Sequence, residues 1–194
     1  MEQIISFKSL PEFTEIVTFW FSPEAQPLWF EKNPAFDESI RRRFAHIYEE
    51  LTQKLRGEDL DKLDVAPEEA LSLIIALDQF PRNMFRETSK AFATDDLALS
   101  LAKIMSRKSF ETELPSSAHY NFLYMPFMHS ENLEDQEEGI RLFSSIPENE
   151  RTVSYAKLHR DIIARFGRFP HRNKILGRPS TVEEIDFLKE FQGF

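Results

Sequence analysis

Apolar residues recur along this chain three and four positions apart, the period of a helix with one buried face, and no stretch alternates like a strand. Residues 10–21 place Phe13, Val17 and Trp20 on one face, with Pro11 in the first turn, a position where its missing N–H costs nothing. The clearest stripe is Ile40, Phe44, Ile47, Leu51 and Leu55, with Gly57 as the stop. Pro67-Glu68-Glu69 opens another helix, and the pattern predicts that it ends before Pro81. Thr94-Asp95-Asp96 reads as the cap of a helix facing inward through Leu97, Leu101 and Ile104. Residues 116–124 are helical up to an expected interruption at Pro126, and Ser130-Glu131 begins a shorter acidic helix. A helix over 154–166 carries Tyr155, Leu158, Ile162 and Phe166 in register. Ser180-Thr181-Val182-Glu183 reads as a capping box leading to Ile185 and Leu188. The pattern predicts an all-α single domain over residues 1–194, built from eight or nine helices.

Composition narrows the class. A chain of 194 residues is long enough for a substantial core, and 41% hydrophobic with 29% charged residues fits a soluble globular protein. Nineteen Phe against five Gly suits helix-on-helix packing, where rings fill the grooves between ridges. With no Cys there are no disulfides, thiolate zinc sites, iron–sulfur clusters or cysteine nucleophiles. No apolar run reaches membrane-spanning length, and residues 1–13 do not resemble a secretory signal, so a cytoplasmic location is expected.

A net charge of −9 argues against general nucleic-acid binding, but the charge is unevenly placed. Residues 157–178 carry seven Lys/Arg against one acid, Asp161, whereas residues 131–150 carry seven acids against one base, Arg141. The two segments read either as self-complementary or as leaving a basic pocket for a small anion.

One phrase occurs twice. Phe80-Pro81-Arg82-Asn83 and Phe169-Pro170-His171-Arg172-Asn173 each follow an apolar helical stretch and precede a helix-start signal, with their Phe residues 89 positions apart. The recurrence reads as two pseudo-repeat halves centred on residues 78–102 and 167–191, or as a helix-stop idiom in which Pro ends the helix and Asn takes a left-handed turn. Both readings stay open from the sequence.

The wording of these segments is itself informative. FWF-x7-WF from Phe19, LDQFPRNMFR over 77–86, AFATD over 91–95, FLYMPFMHSE over 122–131, RFGRFPHRN over 165–173 and LGRPST-x-EE over 176–184 occur in this order. Together they resemble a bacterial family of uncharacterised proteins, a domain of unknown function with a tetratricopeptide-repeat-like helical fold. The likeness runs from about Phe19 to Phe191. It implies an all-α, superhelically arranged domain and brings no substrate, cofactor or partner with it. The 34-residue consensus of that repeat class is not visible in the chain.

Candidate chemistry therefore comes from individual residues. Asp78 lies on the apolar stripe Leu71, Ile74, Ile75, where a carboxylate needs a cationic partner: Arg43, Arg82 or an arginine of the second phrase. His159 lies in an apolar stripe and reads as a core histidine with its ring nitrogens satisfied. His129-Ser130-Glu131, just after Pro126, is expected at a helix start, where an anion or a simple N-cap are both accommodated. Asp78, His129, Glu131 and His159 are the candidate proton-transfer groups. Arg82, Arg86, Arg168, Arg172 and Arg178 with His171 form the candidate ligand-binding set, because guanidinium forks grip carboxylate and phosphate bidentately. Asn83 and Asn173 complete it as hydrogen-bonding neighbours. The structural alternative ties loops to helix C-termini through the same arginines, where cations complement the dipole. No metal-binding, phosphate-loop or nucleophile-elbow motif occurs, so no metal or cofactor is predicted. Three functions remain: a helical binding module for an acidic peptide or small anion, an enzyme acting on a phosphorylated or carboxylated metabolite, and an assembly protein that forms homo-oligomers through the aromatic segments around Trp20 and Trp29.

Overall fold

The structure, a computed structural model, describes residues 5–6, 11–107, 114–191 and 193. Nine α-helices account for most of these residues: α1 (Pro11–Trp20), α2 (Pro34–Leu55), α3 (Pro67–Ile74), α4 (Phe80–Met84), α5 (Asp95–Ser106), α6 (Ser117–His129), α7 (Leu133–Ser145), α8 (Glu150–Phe166) and α9 (Val182–Glu190). The pattern of apolar positions and the all-α prediction agree with this. Beyond it, Ile5–Ser6 pairs in parallel with Leu63–Asp64, a two-residue bridge that no alternation in the sequence announces.

Helix α2 shows how the stripe becomes packing. Asn33 caps it by accepting from the N–H groups of Ala35 and Phe36, Pro34 fills the first turn, and Ile40, Phe44, Ile47, Leu51 and Leu55 are all buried. The helix packs against α4, α1 packs against α3, α5 meets α3 and α6, and α6, α7 and α8 pack on one another. Gly139 of α7 lets α6 come close: a Cβ there would lie 2.9 Å from Phe127 Cβ. Most buried apolar residues from Phe13 to Ala156 form one core. A second, small cluster lies at the C-terminal end, where Ile162, Ile163 and Phe169 pack with Phe166, Phe187 and Phe191. Trp20 is fully buried and Trp29 stacks on it while donating its indole N–H to the Trp20 carbonyl at 2.8 Å, so of this aromatic segment Phe30 is the residue left well exposed, at 77%.

Several local expectations are corrected. Pro81 does not end its helix. Ile75–Gln79 form one π-helical turn, with Phe80 N–H bonded to the Ile75 carbonyl, and the chain stays helical through Met84. Proline cannot donate to the Leu77 carbonyl one turn earlier, and the Thr94 hydroxyl does so instead at 2.6 Å. Thr94 thus stands at the start of α5 without capping it through its side chain. Pro126 is likewise carried inside α6, which runs on to His129. His129 therefore ends a helix rather than starting one, and Asn132 caps α7 by accepting from Glu134 and Asp135. In α8 the buried face is Ala156, His159, Ile162 and Ile163; Tyr155 and Leu158 point outward, Leu158 at 53% exposure. The final capping box is Thr181 with Glu184, one position later than read, and Ile185 is exposed. The two phrases also differ in backbone. The first continues a helix, and the second forms a 3-10 turn at Pro170–Arg172 after Gly167 ends α8 at φ 67°. Neither Asn83 nor Asn173 is left-handed, so the helix-stop idiom does not hold for the first phrase, nor its asparagine part for the second.

Candidate functional site

Asp78 lies in the π-turn with no exposed surface, the position where an acid most needs partners. His129 Nδ1 stands 2.7 Å from its Oδ1, Gln79 Nε2 donates to Oδ2, and an Arg82 Nη lies 3.4 Å from Oδ1. Burial alone would push the Asp78 carboxyl up, but Arg82 and His129 outweigh it and hold it well below the usual carboxylate range. The carboxylate is thus ionised, and His129 must be the donor. Burial, and after it Arg82, lower the His129 pKa against the opposing pull of Asp78, so the imidazole is neutral near pH 7. Of the partners foreseen for Asp78, Arg82 serves. Arg43 instead pairs with Glu15 and lies over the rings of Phe19 and Phe44.

Arg82 turns its fork toward Asp95, at the start of α5, with contacts of 2.9 and 3.1 Å. The second phrase reaches the same carboxylate: Arg172 Nη1 lies 3.4 Å from Asp95 Oδ2. The two phrases thus meet at Asp95. Arg172 is buried between the rings of Phe169 and Phe92, at 4.5 and 4.7 Å, and its Nε is buried with no hydrogen-bond acceptor. Burial and then the nearby Arg82 lower its pKa to about 10, against the weaker pull of Asp95, Glu131 and Asp78. Burial is therefore the main cost of keeping this guanidinium charged.

The connector between α6 and α7 adds Glu131, which takes Arg178 bidentately at 2.6 and 2.9 Å and accepts the Phe169 N–H at 2.8 Å. Burial would raise its pKa, but Arg178 and the Phe169 N–H lower it on balance. His159 is buried and donates from Nδ1 to the Tyr155 carbonyl at 2.8 Å, as expected of a core histidine; burial takes its pKa to about 3. His171 packs between Phe169 and Phe191, and burial, then Arg172, take it to about 4.

The remaining predicted residues gather elsewhere. Asn83 and Arg86 share Asp37, at 2.9 Å and at 2.6 and 2.9 Å. Arg168 and Asn173 share Glu184, which Arg168 holds at about 2. Asn173 also accepts from Arg178 Nε. Most arginines of the predicted ligand-binding set are therefore engaged by carboxylates, in the first turns of helices (Asp37, Asp95, Glu184) or in the α6–α7 connector (Glu131), rather than at the helix C-termini of the structural alternative. Two contacts, Arg178 with Glu131 and Arg160 with Glu137, also join the basic segment to the acidic one.

The sequence reading missed the acids that do this gathering. Asp37, Asp95 and Glu184 each sit in the first turn of a helix, where an acid is expected on dipole grounds alone, so nothing in one sequence marks them further. A surface hollow of about 340 Å³, lined by Ser144, Asn149, Glu150, Val153 and Lys157, involves none of these groups. Among the described residues no cluster of three His, Asp or Glu is placed to hold a metal ion, and no helix is long and apolar enough to cross a membrane.

A solved structure of a protein of unknown function from Agrobacterium tumefaciens, ATU0120, is similar over nearly the whole fold. It shares 36% sequence identity with a TM-score of 0.79, covering 93% of this chain and 98% of that one. No curated protein matches the chain. The profile of the family described as "Bacterial protein of unknown function (DUF924)" matches residues 16–192, and the chain belongs to that family.

Proposed function

We propose that the protein binds a small anion, a carboxylate or phosphate, at the junction of the two phrases, with Arg172 as the principal contact and Arg82 as its neighbour. One observation carries this reading: a buried guanidinium whose Nε has no acceptor and whose carboxylate contact, at 3.4 Å, is shared with an arginine already seated on it. Leaving a buried charged donor unmade costs about 1–3 kcal/mol, and an anion able to accept from Nε would recover it. The aromatic walls of Phe92 and Phe169 exclude water and strengthen such a contact. A small anion fits better than an acidic peptide, because Arg172 shows only 7% of its surface and presents no groove to an extended chain.

The test is a melting-temperature and calorimetric titration with inorganic phosphate, dicarboxylates and acidic peptides. A ligand at a hundred times its dissociation constant adds about 2.7 kcal/mol of stability. Phosphate or a dicarboxylate should raise the wild-type melting point and leave Arg172→Lys unmoved, provided that the variant melts cooperatively by itself. If none of the small anions binds the wild type, the reading is wrong and Arg172 is structural.

A further inference from the structure

Asp78 could have been neutralised by Arg82 alone, as buried carboxylates in helices often are. It also holds an imidazole. His129 donates from Nδ1 to Asp78 Oδ1, and among the described residues Nε2 makes no hydrogen bond. A carboxylate on Nδ1 selects the tautomer whose free lone pair lies on Nε2 and stabilises the imidazolium that forms when Nε2 takes a proton. The carboxylate is itself fixed from two further sides, by the Gln79 amide and by Arg82. The supporting backbone is a π-helical turn, a distortion that proteins often keep where a side chain must be aimed. Arg82, which flanks this pair, also meets Asp95, the carboxylate that Arg172 approaches. An oriented base thus adjoins the cations assigned to the anion.

We propose that His129, positioned by Asp78, is the general base of a hydrolytic site acting on an ester of a small carboxylate or phosphate anion. This rests on the anion reading above. No hydroxyl or thiol group hydrogen-bonds His129 among the described residues, so water is the nucleophile. Nε2 removes a proton from the water as its oxygen forms a bond to the carbonyl carbon or phosphorus. The charge that develops on the acyl or phosphoryl oxygens faces Arg172. The imidazolium then returns its proton to the ester oxygen as that bond breaks, releasing an alcohol and the free acid and restoring neutral His129. Asp78 is a positioning residue and stays ionised throughout. The low His129 pKa, set by burial and Arg82, keeps the base form present at neutral pH.

The experiment is site-resolved carbethoxylation of the intact protein, read by mass spectrometry between pH 6 and 8, with and without inorganic phosphate. It is paired with hydrolysis of p-nitrophenyl phosphate and p-nitrophenyl hemisuccinate. His129 should still react at pH 6, where an ordinary imidazole of pKa about 6.5 is largely protonated. Phosphate should slow that reaction at least tenfold while sparing His46, an exposed residue of α2. Asp78→Asn should lower the His129 labelling rate. His129→Gln, which keeps a donor for Asp78, should lower kcat for ester hydrolysis at least a hundredfold with KM little changed. Arg172→Lys should raise KM, lower kcat and abolish phosphate protection. If His129 stays unlabelled while His46 reacts, or neither ester turns over above buffer, the catalytic proposal is overturned; the anion reading survives if phosphate still raises the melting point. If His129 reacts rapidly and phosphate neither protects it nor shifts melting, the anion reading has failed and the proposal falls with it.

Discussion

His129 and Asp78, 51 positions apart, share a 2.7 Å hydrogen bond that joins the last turn of α6 to the π-turn between α3 and α4. It ties together two segments that each carry a proline inside continuing helix, Pro81 on one side and Pro126 on the other. The bond leaves the carboxylate charged and the imidazole neutral, which sets the consequences of breaking it.

Removing the acid takes away one of the two carboxylates beside Arg82. Asp78→Ala leaves that guanidinium, partly buried, with Asp95 and the backbone carbonyls of residues 78 and 91, and leaves His129 Nδ1 without an acceptor. Breaking a buried pair on one side costs about 3–5 kcal/mol. Urea denaturation should show a loss of that order, and Asp78→Asn, which keeps an acceptor for His129, should lose less.

Stability should fall on mild acidification. The folded pKa values of His159 and His171, about 3 and about 4, lie below the value of about 6.5 expected of an unfolded chain. Below pH 6.5 the unfolded state therefore binds protons that the folded state refuses, so stability is full above pH 6.5 and declines toward pH 4. The slope is about 1.4 kcal/mol per pH unit for each such histidine. His129, also lowered, acts in the same direction. Melting curves from pH 7.5 to 4.5 should show the decline, and His159→Leu should make it shallower.

The Leu77 carbonyl gives a test of the proline account. Thr94→Val removes its donor and should cost about 1–3 kcal/mol. In a Pro81→Ala background a backbone N–H is available again, so the same substitution should cost less. A double-mutant cycle by chemical denaturation measures the difference. Equal costs in both backgrounds would mean that the hydroxyl does not stand in for the missing N–H.

Gly139→Ala should destabilise by about 1–3 kcal/mol, because its methyl would meet Phe127 Cβ at 2.9 Å where α6 and α7 pack. Phe127 is itself buried, so relief requires the helices to part. Thermal denaturation reads this directly.

Much of this molecule is legible where the information is local. The stripe from Ile40 to Leu55 is the buried face of α2 because a 3.6-residue period leaves no other face apolar. The need of Asp78 for a cation also follows from its place on an apolar stripe, and Arg82 was among the partners inferred. What failed depended on distant partners. Pro81 looks like a stop until Thr94, thirteen positions later, supplies the donor that proline lacks. The face of α8 was misread because Ala156 and His159 weigh little on an apolar scale, whereas Tyr155 and Leu158 weigh heavily and point to water. The meeting of the two phrases at Asp95 could not be read at all, since an acid in a helix's first turn already has a sufficient local reason to be there.

The π-turn has one more consequence, which concerns angle rather than energy. A helix advances about 100° per residue, so a turn that holds one extra residue rotates everything after it relative to everything before it. Ahead of the turn, Leu71 and Ile74 face the core; after it, Arg82 and Asn83 address two different carboxylates, Asp95 and Asp37. Deleting one residue between Ile75 and Gln79 would restore a regular helix and swing both side chains away from their acids. In this protein the spare residue acts as a phase shifter, setting the angle at which Arg82 and Asn83 leave the rod relative to the core residues before it.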